Sequence, residues 1–183
     1  MVGMRVIAGQ LGGRRLKAPR GRTTRPTSDR VREALFAMLA DVRGARVLDL
    51  FAGSGALGIE ALSRGAAMAV FVERDAGAVR ALWDNLRALG IEPGDTQVRH
   101  VEALGALGSA RTREETYDLI FIDPPYGHAR DWGPRLSTAL PSLLEPAARV
   151  VVESDRRAPL ELEMDLGQER CYGDTSIRIY RHQ

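Results

Sequence analysis

The sequence predicts an α/β domain in which a mostly parallel sheet is flanked by helices, and three observations carry that prediction. Residues 47–66, VLDLFAGSGALGIEALSRGA, join an apolar run, a glycine-rich turn and a helical pattern in one unit. From residue 68 to residue 122 the pattern alternates between short apolar runs and amphipathic stretches, as strand–helix repeats do. At 183 residues and 44% apolar, the chain is long enough for one well-packed domain and too short for two full ones.

The N-terminus is set apart by charge. Residues 1–28 hold Arg5, Arg14, Arg15, Lys17, Arg20, Arg22 and Arg25 and no acid, so the other 155 residues carry 19 basic and 24 acidic groups. Gly9, Gly12, Gly13 and Gly21 add flexibility, and an arm of this kind suits contact with a nucleic-acid backbone, the bland alternative being a solvated tail. Val6, Ile7, Leu11 and Leu16 alternate with polar residues as in a small hairpin. The division expected is a basic arm or hairpin over residues 1–23 and a domain over residues 24–183.

Thr27, Ser28 or Asp29 can cap a helix whose apolar face is Val31, Leu35, Phe36 and Leu39. Arg30 and Arg32 sit in its first turn, where the helix dipole disfavours cations. Arg30 with the helix N-terminus could bind a carboxylate, or it could simply face water.

Val47, Leu48 and Leu50 read as a buried parallel strand with Asp49 near its carboxyl end, and Ile59, Leu62, Ala56 and Ala61 start the helix that packs back on the sheet. Gly53, Gly55 and Gly58 also fit the G-x-G-x-x-G spacing of dinucleotide sites. Two facts oppose a pyrophosphate there: Asp49 places a carboxylate beside the loop, and no basic residue lies between Asp49 and Arg64. A zwitterion with a cationic amine and a sulfonium suits that acid better. Glu73, twenty residues after Gly53, ends the strand over residues 68–72 and is placed to accept both hydroxyls of a ribose. Together these point to S-adenosylmethionine (AdoMet).

Residues 76–89 form an amphipathic helix with Val79, Leu82, Trp83 and Leu86 on one side, closed by Gly90. A short third strand over residues 97–101 leads to Glu102, which could reach the adenine amine or be a surface acid, and residues 105–116 read as a polar loop or weak helix. The fourth strand, residues 117–122, runs into Asp123-Pro124-Pro125-Tyr126-Gly127. Two prolines leave no backbone donor and hold φ, so the carbonyls of Asp123 and Pro124 are rigid acceptors suited to an amine. Accepting both hydrogens of an exocyclic amine favours the pyramidal nitrogen that attacks a sulfonium methyl, and Tyr126 offers a ring for the base to stack on.

Further on, residues 136–144 read as a helix bent or split at Pro141, residues 149–154 as the fifth strand, and residues 168–172 and 175–181 as an antiparallel pair around Gly173-Asp174. The lone cysteine, Cys171, excludes an internal disulfide and reads as a buried small hydrophobe. No Cys/His cluster has metal-ligand spacing, so no metal is expected. No apolar run approaches the roughly 20 residues of a membrane span, and a soluble cytoplasmic protein is expected.

FAGSGALGIEALSRGA and DPPY, in that order with a strand acid between, resemble the Class I AdoMet-dependent methyltransferases that modify exocyclic amines. More closely, RVIAGQLGGRRLKAP, RPTSDRVREALFAML and YGDTSIRIY resemble the bacterial small-subunit rRNA guanine-N2 methyltransferases of the RsmD family, over nearly the whole chain. The resemblance implies a Rossmann-like sheet of seven strands in the order 3-2-1-4-5-7-6, the last antiparallel. It implies that Asp123, Pro124, Pro125 and Tyr126 are the catalytic motif. It also implies that Asp49, Phe51, Ala52, Gly53, Ser54, Gly55, Glu73, Arg74 and Ala103 line the cofactor, with Glu102 toward adenine and Thr27 and Arg30 near the methionyl end. The activity implied is methylation of the 2-amino group of a guanine in 16S rRNA, with small-subunit rRNA in an assembling 30S particle as partner and a monomeric enzyme. The rivals are an adenine-amine DNA methyltransferase, which usually needs an added recognition domain, and a non-catalytic RNA-binding assembly factor.

Overall fold

A computed structural model describes residues 4–18, 28–39, 41–125 and 129–183. Helix α1 (Asp29–Leu39) leads to β1 (Arg46–Asp49), α2 (Ala56–Ser63), β2 (Met68–Glu73), α3 (Ala76–Leu89), β3 (Thr96–His100) and α4 (Ala103–Thr112). There follow β4 (Tyr117–Ile122), α5 (Ala129–Ala139), β5 (Leu144–Asp155), β6 (Asp165–Tyr172) and β7 (Thr175–Arg181). The strands form one sheet in the order β3-β2-β1-β4-β5-β7-β6, with β7 antiparallel to both neighbours. Strand order reverses between β1 and β4, so a crevice opens at their carboxyl ends, where such sheets bind ligands.

Strand alternation divides the apolar residues between two cores. On one face Val47, Phe71, Phe121 and Val151 meet Leu35 and Phe36 of α1, Ile59 of α2 and Leu82 of α3. On the other, Leu48, Val72, Ile122 and Val152 meet Leu107 of α4 and Leu136 of α5. Val31, Leu35, Phe36 and Leu39 are all buried, and the Val31 amide donates to the Ser28 hydroxyl at the start of α1. Thr27 lies outside the described residues.

The glycine loop owes two of its glycines to packing. Gly55 has φ 85° and a Cβ there would stand 2.3 Å from Leu82 Cδ1, while one at Gly58 would stand 2.3 Å from Phe71 Cε1. Spacing that mimics a dinucleotide fingerprint therefore lets α2 lie close on β2 and α3. Only Gly53 of the three has open space where a Cβ would be, so there the backbone can be approached.

Three expectations change. The helix expected over residues 136–144 runs from Ala129 to Ala139 and contains Pro134, and a 3-10 turn over Pro141–Leu143 follows it. Trp132, Leu136 and Leu140 lie four residues apart on one face and pack into the core, which outweighs the backbone hydrogen bond that Pro134 removes. Strand β5 begins early, at Leu144. A bulge sets the stretch from Leu144 to Arg149 against the shorter one from Tyr117 to Leu119 of β4, with Ala147 at φ 62°, and this hides the period-2 pattern. Cys171 is exposed, not buried, because β6 is the edge strand and carries almost no cover on either face. Of residues 105–116, expected as a polar loop or weak helix, those up to Thr112 belong to the helix Ala103–Thr112, in which Ala103, Ala106, Leu107 and Ala110 fall on one buried stripe.

The N-terminal segment is a hairpin docked on the body. Arg5 and Arg15 form a bridge, and the amides of Val6 and Leu16 donate to the carbonyls of Arg14 and Met4 at 2.9 and 2.8 Å. Val6 and Leu16 are buried in the α1–α3 core. Glu60 of α2, fully buried, accepts the amides of Ile7 and Ala8 at 2.7 and 3.1 Å and pairs with Arg64. Asn85 of α3 exchanges hydrogen bonds with the Lys17 backbone and donates to the Ser54 carbonyl at 3.0 Å, tying the hairpin to the glycine loop. Arg20, Arg22 and Arg25 lie outside the described residues.

Candidate active site

Acids stand at or near the carboxyl ends of four neighbouring parallel strands, on one face of the sheet. Asp49 is level with Phe71 and Phe121, and Phe121 is level with Val151. Glu73, Asp123 and Glu153 each follow by two residues, so they stand one step further on the same side, toward α1–α3. Asp49, Glu73 and Glu153 are 2%, 8% and 3% exposed.

Two of these acids hold the glycine loop. Glu73 accepts the Gly53 amide at 2.9 Å on one oxygen and the Asp75 amide at 2.7 Å on the other. A carboxylate oxygen has two lone pairs, so each retains an acceptor site for a hydroxyl. Asp49 accepts the Gly58 amide at 3.0 Å, which places its charge at the N-terminal turn of α2. Burial pushes the Asp49 carboxyl up to about 7; the Gly58 amide opposes the rise and Glu73 adds to it. The Ala52 amide donates to the Val72 carbonyl at 3.0 Å and the Leu50 amide to Phe121 at 3.0 Å, so the loop starts from a rigid edge.

The raised carboxyl has a consequence for stability. With a pKa of about 7 in the fold against an ordinary 3.8, Asp49 ionises in the unfolded chain first, so stability is lost as pH rises between those two values. Asp49→Asn, which keeps an acceptor for Gly58, should therefore leave stability unchanged near pH 4 and raise it by a few kcal/mol above pH 7, since each tenfold change in an acidity constant is worth about 1.4 kcal/mol. Denaturant titrations of both proteins at the two pH values measure this, and an equal difference at each pH would show that Asp49 ionises normally in the fold.

Asp123 follows β4 and leads into Pro124, which is buried, and Pro125. Although Asp123 is partly open to solvent, its carboxyl is held well above the usual carboxylate range, first by desolvation and then by Glu153 and Asp49. Tyr126 lies outside the described residues. Phe51 meets the Trp132 ring edge-on at 4.9 Å, with the Arg135 guanidinium 5.5 Å from the indole. On the opposite side of the crevice Arg74 pairs with Glu102 at 3.2 Å, both side chains more than half exposed, and Ala103 is buried as the first residue of α4. Arg30 is exposed in the first turn of α1. Its neighbour Arg32 is fully buried instead, donating to Asp29 and to the Arg5 carbonyl at 2.6 Å each. The fold thus gathers Asp49, Phe51–Gly55, Glu73, Arg74, Glu102 and Asp123 at one sheet edge. Sequence reasoning passed over Glu153, although it too closes an apolar run with an acid, and over Asn85, for which no sequence signal exists.

These groups suit AdoMet. Open space above Gly53 admits a ligand to the backbone, Glu73 keeps free acceptor sites, and Asp49 supplies negative charge for an ammonium group. Among the described residues no group of His, Cys, Asp and Glu is placed to hold a metal ion, and no helix is long and apolar enough to cross a membrane.

A sheet in this order with its reversed last strand is the Class I AdoMet-dependent methyltransferase fold, and the protein is a methyltransferase of that class. A family model described as "Conserved hypothetical protein 95" matches residues 4–181. A ribosomal RNA small subunit methyltransferase D of Escherichia coli is 36% identical over 190 residues, covering 98% of this chain and 90% of its own. A Bacillus subtilis protein named provisionally as the rRNA methyltransferase YlbH is 42% identical over 97% of this chain and 98% of its own. The chain belongs to the RsmD family. Among solved structures, the Thermus thermophilus 16S rRNA N2 G1207 methyltransferase RsmC, in complex with AdoMet and guanosine, superposes with a TM-score of 0.68 at 27% identity, over 90% of this chain and 44% of that one.

Proposed function

We propose that the protein transfers a methyl group from AdoMet to the exocyclic 2-amino group of a guanine in small-subunit rRNA, acting as a cytoplasmic monomer on an assembling 30S particle. The observation that carries this reading is the Asp123-Pro124-Pro125 segment, set at the end of β4 beside Asp49 of the neighbouring strand. The guanine-N2 chemistry named for the RsmC neighbour, together with the small-subunit rRNA named for the E. coli relative, supports it.

When bound, AdoMet supplies a methyl on a sulfonium, whose C–S electron pair leaves with sulfur. The chain has four tasks around that donor. Glu73 accepts the ribose hydroxyls and Asp49 faces the ammonium group. Arg30 attracts the methionyl carboxylate. Asp123 and the Pro124 carbonyl accept the two hydrogens of the guanine amine, which localises its lone pair for in-line attack.

The basic hairpin provides the RNA contact. Several of its cations are already engaged: Arg5 with Asp29, Lys17 with Asp84 and Arg14 with the Ala88 carbonyl, while Arg15 is exposed. Deleting the hairpin would take Val6 and Leu16 out of the core, so charge substitution is the cleaner test. Arg14→Gln with Arg15→Gln should weaken rRNA binding and flatten the slope of log affinity against log salt by about 1–2, with AdoMet affinity unchanged. An unaltered slope would remove the hairpin from the interface.

The reaction itself is tested with 30S particles and naked 16S rRNA from a strain lacking the protein, incubated with enzyme and AdoMet and digested for nucleoside mass spectrometry. N2-methylguanosine at a single position is the expected product. N6-methyladenosine, or no product on either substrate, would overturn the proposal.

A further inference from the structure

Helical spacing groups Trp83 of α3 with Val79, Leu82 and Leu86, but the structure separates them: those three are buried while Trp83 is 44% exposed. The other long side chains that α3 turns outward are Arg80, Asp84 and Arg87, so Trp83 stands on the helix surface with an arginine one turn away in each direction. A single apolar side chain on a surface is ordinary. This one is set apart by its surroundings. The basic hairpin lies along the same face, where Lys17 Nζ is 3.1 Å from Asp84 and Arg14 donates to the Ala88 carbonyl at 2.8 Å. Asp84, the one acid in α3, also pairs with Arg87 at 3.8 Å, so Arg14, Lys17, Arg80 and Arg87 leave this face with a surplus of positive charge around an exposed indole. Beneath it, buried Asn85 bonds both the Lys17 backbone and the Ser54 carbonyl, which fixes the hairpin and α3 relative to the cofactor loop.

We propose that the outer face of α3 continues the RNA surface of the hairpin, with Trp83 stacking on an unpaired base of small-subunit rRNA and Arg80 and Arg87 holding phosphates on either side. The two arginines are seven residues apart, about 10 Å along the helix axis, so a strand laid along α3 meets a cation, a ring and a cation in turn. Aromatic rings and cations arranged in this way are what unpaired nucleic acid binds, because every base offers a face to stack on and every nucleotide a charge to neutralise. The base is an unpaired one, since a base inside an RNA helix is already stacked on both sides and is not free to leave. This inference rests on the reading of the protein as a small-subunit rRNA methyltransferase and adds where an unpaired stretch of that RNA lies.

The test measures binding of the full-length protein to naked 16S rRNA from a strain lacking it, with AdoMet affinity followed separately. Trp83→Leu keeps the apolar cover of the helix; it should weaken rRNA binding about tenfold, leave the slope of log affinity against log salt unchanged and leave AdoMet affinity within about twofold. Trp83→Phe keeps a ring and should bind within about threefold of wild type. Arg80→Gln with Arg87→Gln should instead flatten the slope by about 1–2. The loss in Trp83→Leu should also appear with an unpaired oligoribonucleotide and vanish with the same sequence in a duplex. Ultraviolet crosslinking followed by tryptic digestion should leave a nucleotide on the peptide of residues 81–87, in which Trp83 is the sole aromatic residue. Wild-type rRNA affinity in Trp83→Leu, an equal loss in the leucine and phenylalanine variants, an equal loss on paired and unpaired RNA, or no nucleotide on that peptide would each overturn the stacking contact. A loss on the assembled 30S particle that is absent on naked rRNA would overturn it too, and would assign Trp83 to a protein partner. Normal methylation by a Trp83→Leu protein that binds rRNA as wild type does removes this surface alone, whereas a wild-type protein that neither binds nor methylates small-subunit rRNA overturns the functional reading beneath it.

Discussion

Replacing Asp123 by alanine should slow methyl transfer by about 10²–10³ while changing the affinities for AdoMet and RNA by no more than a few-fold, the scale of losing one well-placed electrostatic group. The interaction strengthens as the nitrogen becomes pyramidal and gains positive charge, so its loss falls on turnover and not on ground-state binding. The pair of prolines keeps the backbone in place without the side chain, so the effect is chemical and does not come from collapse of the loop. Asp123→Asn separates charge from shape, since the amide retains a carbonyl acceptor and should keep part of the activity. Single-turnover rates at saturating AdoMet and RNA decide the matter: a wild-type rate in the alanine variant would leave the segment as a structural turn.

The second large effect is expected at Glu73. Its removal by alanine takes away two acceptors that the structure holds ready for the ribose, and AdoMet should bind about 10–10² times more weakly, or about 1.5–3 kcal/mol. The same carboxylate also accepts the Gly53 and Asp75 amides, so the variant should lose about 1–3 kcal/mol of stability by leaving those donors unpaired. Glu73→Gln retains one acceptor and should lose less of each. Titration calorimetry at a temperature where both variants are fully folded distinguishes lost contact from lost structure. Unchanged AdoMet affinity in Glu73→Ala would take the ribose away from this residue.

Both residues were visible before the fold was known, because an acid that closes an apolar run is placed by strand periodicity at the carboxyl end of a strand. The same rule applied to RVVVES exposes Glu153, which is far from Asp123 in sequence and stands one strand spacing from it in the sheet. Asn85 carries no such signal. It lies in an ordinary amphipathic helix and acquires its task from the arrival of Lys17 and Ser54 on either side. Helix α5 begins ahead of the expected residues 136–144 and takes in Pro134, because a local penalty of one lost hydrogen bond is smaller than the packing of Trp132, Leu136 and Leu140. Cys171 misled for a related reason, since composition ranks cysteine as buried without knowing which strand is at the edge.

Contiguous residues encode the strand–loop–helix unit, the acids that end β1, β2 and β4, the rigid Asp-Pro-Pro turn and the basic N-terminus, because each of these is a matter of local period and chemistry. Other features come into being only when the chain has folded: Gly55 and Gly58 serve the packing of α2, Glu60 and Asn85 anchor the basic hairpin, and four acids form one row. Local periodicity reports which way a side chain faces its own strand or helix, whereas the order β3-β2-β1-β4-β5-β7-β6 sets which faces meet. That order is a property of long-range strand pairing, and the chemistry of the crevice arises where those pairs bring distant acids together.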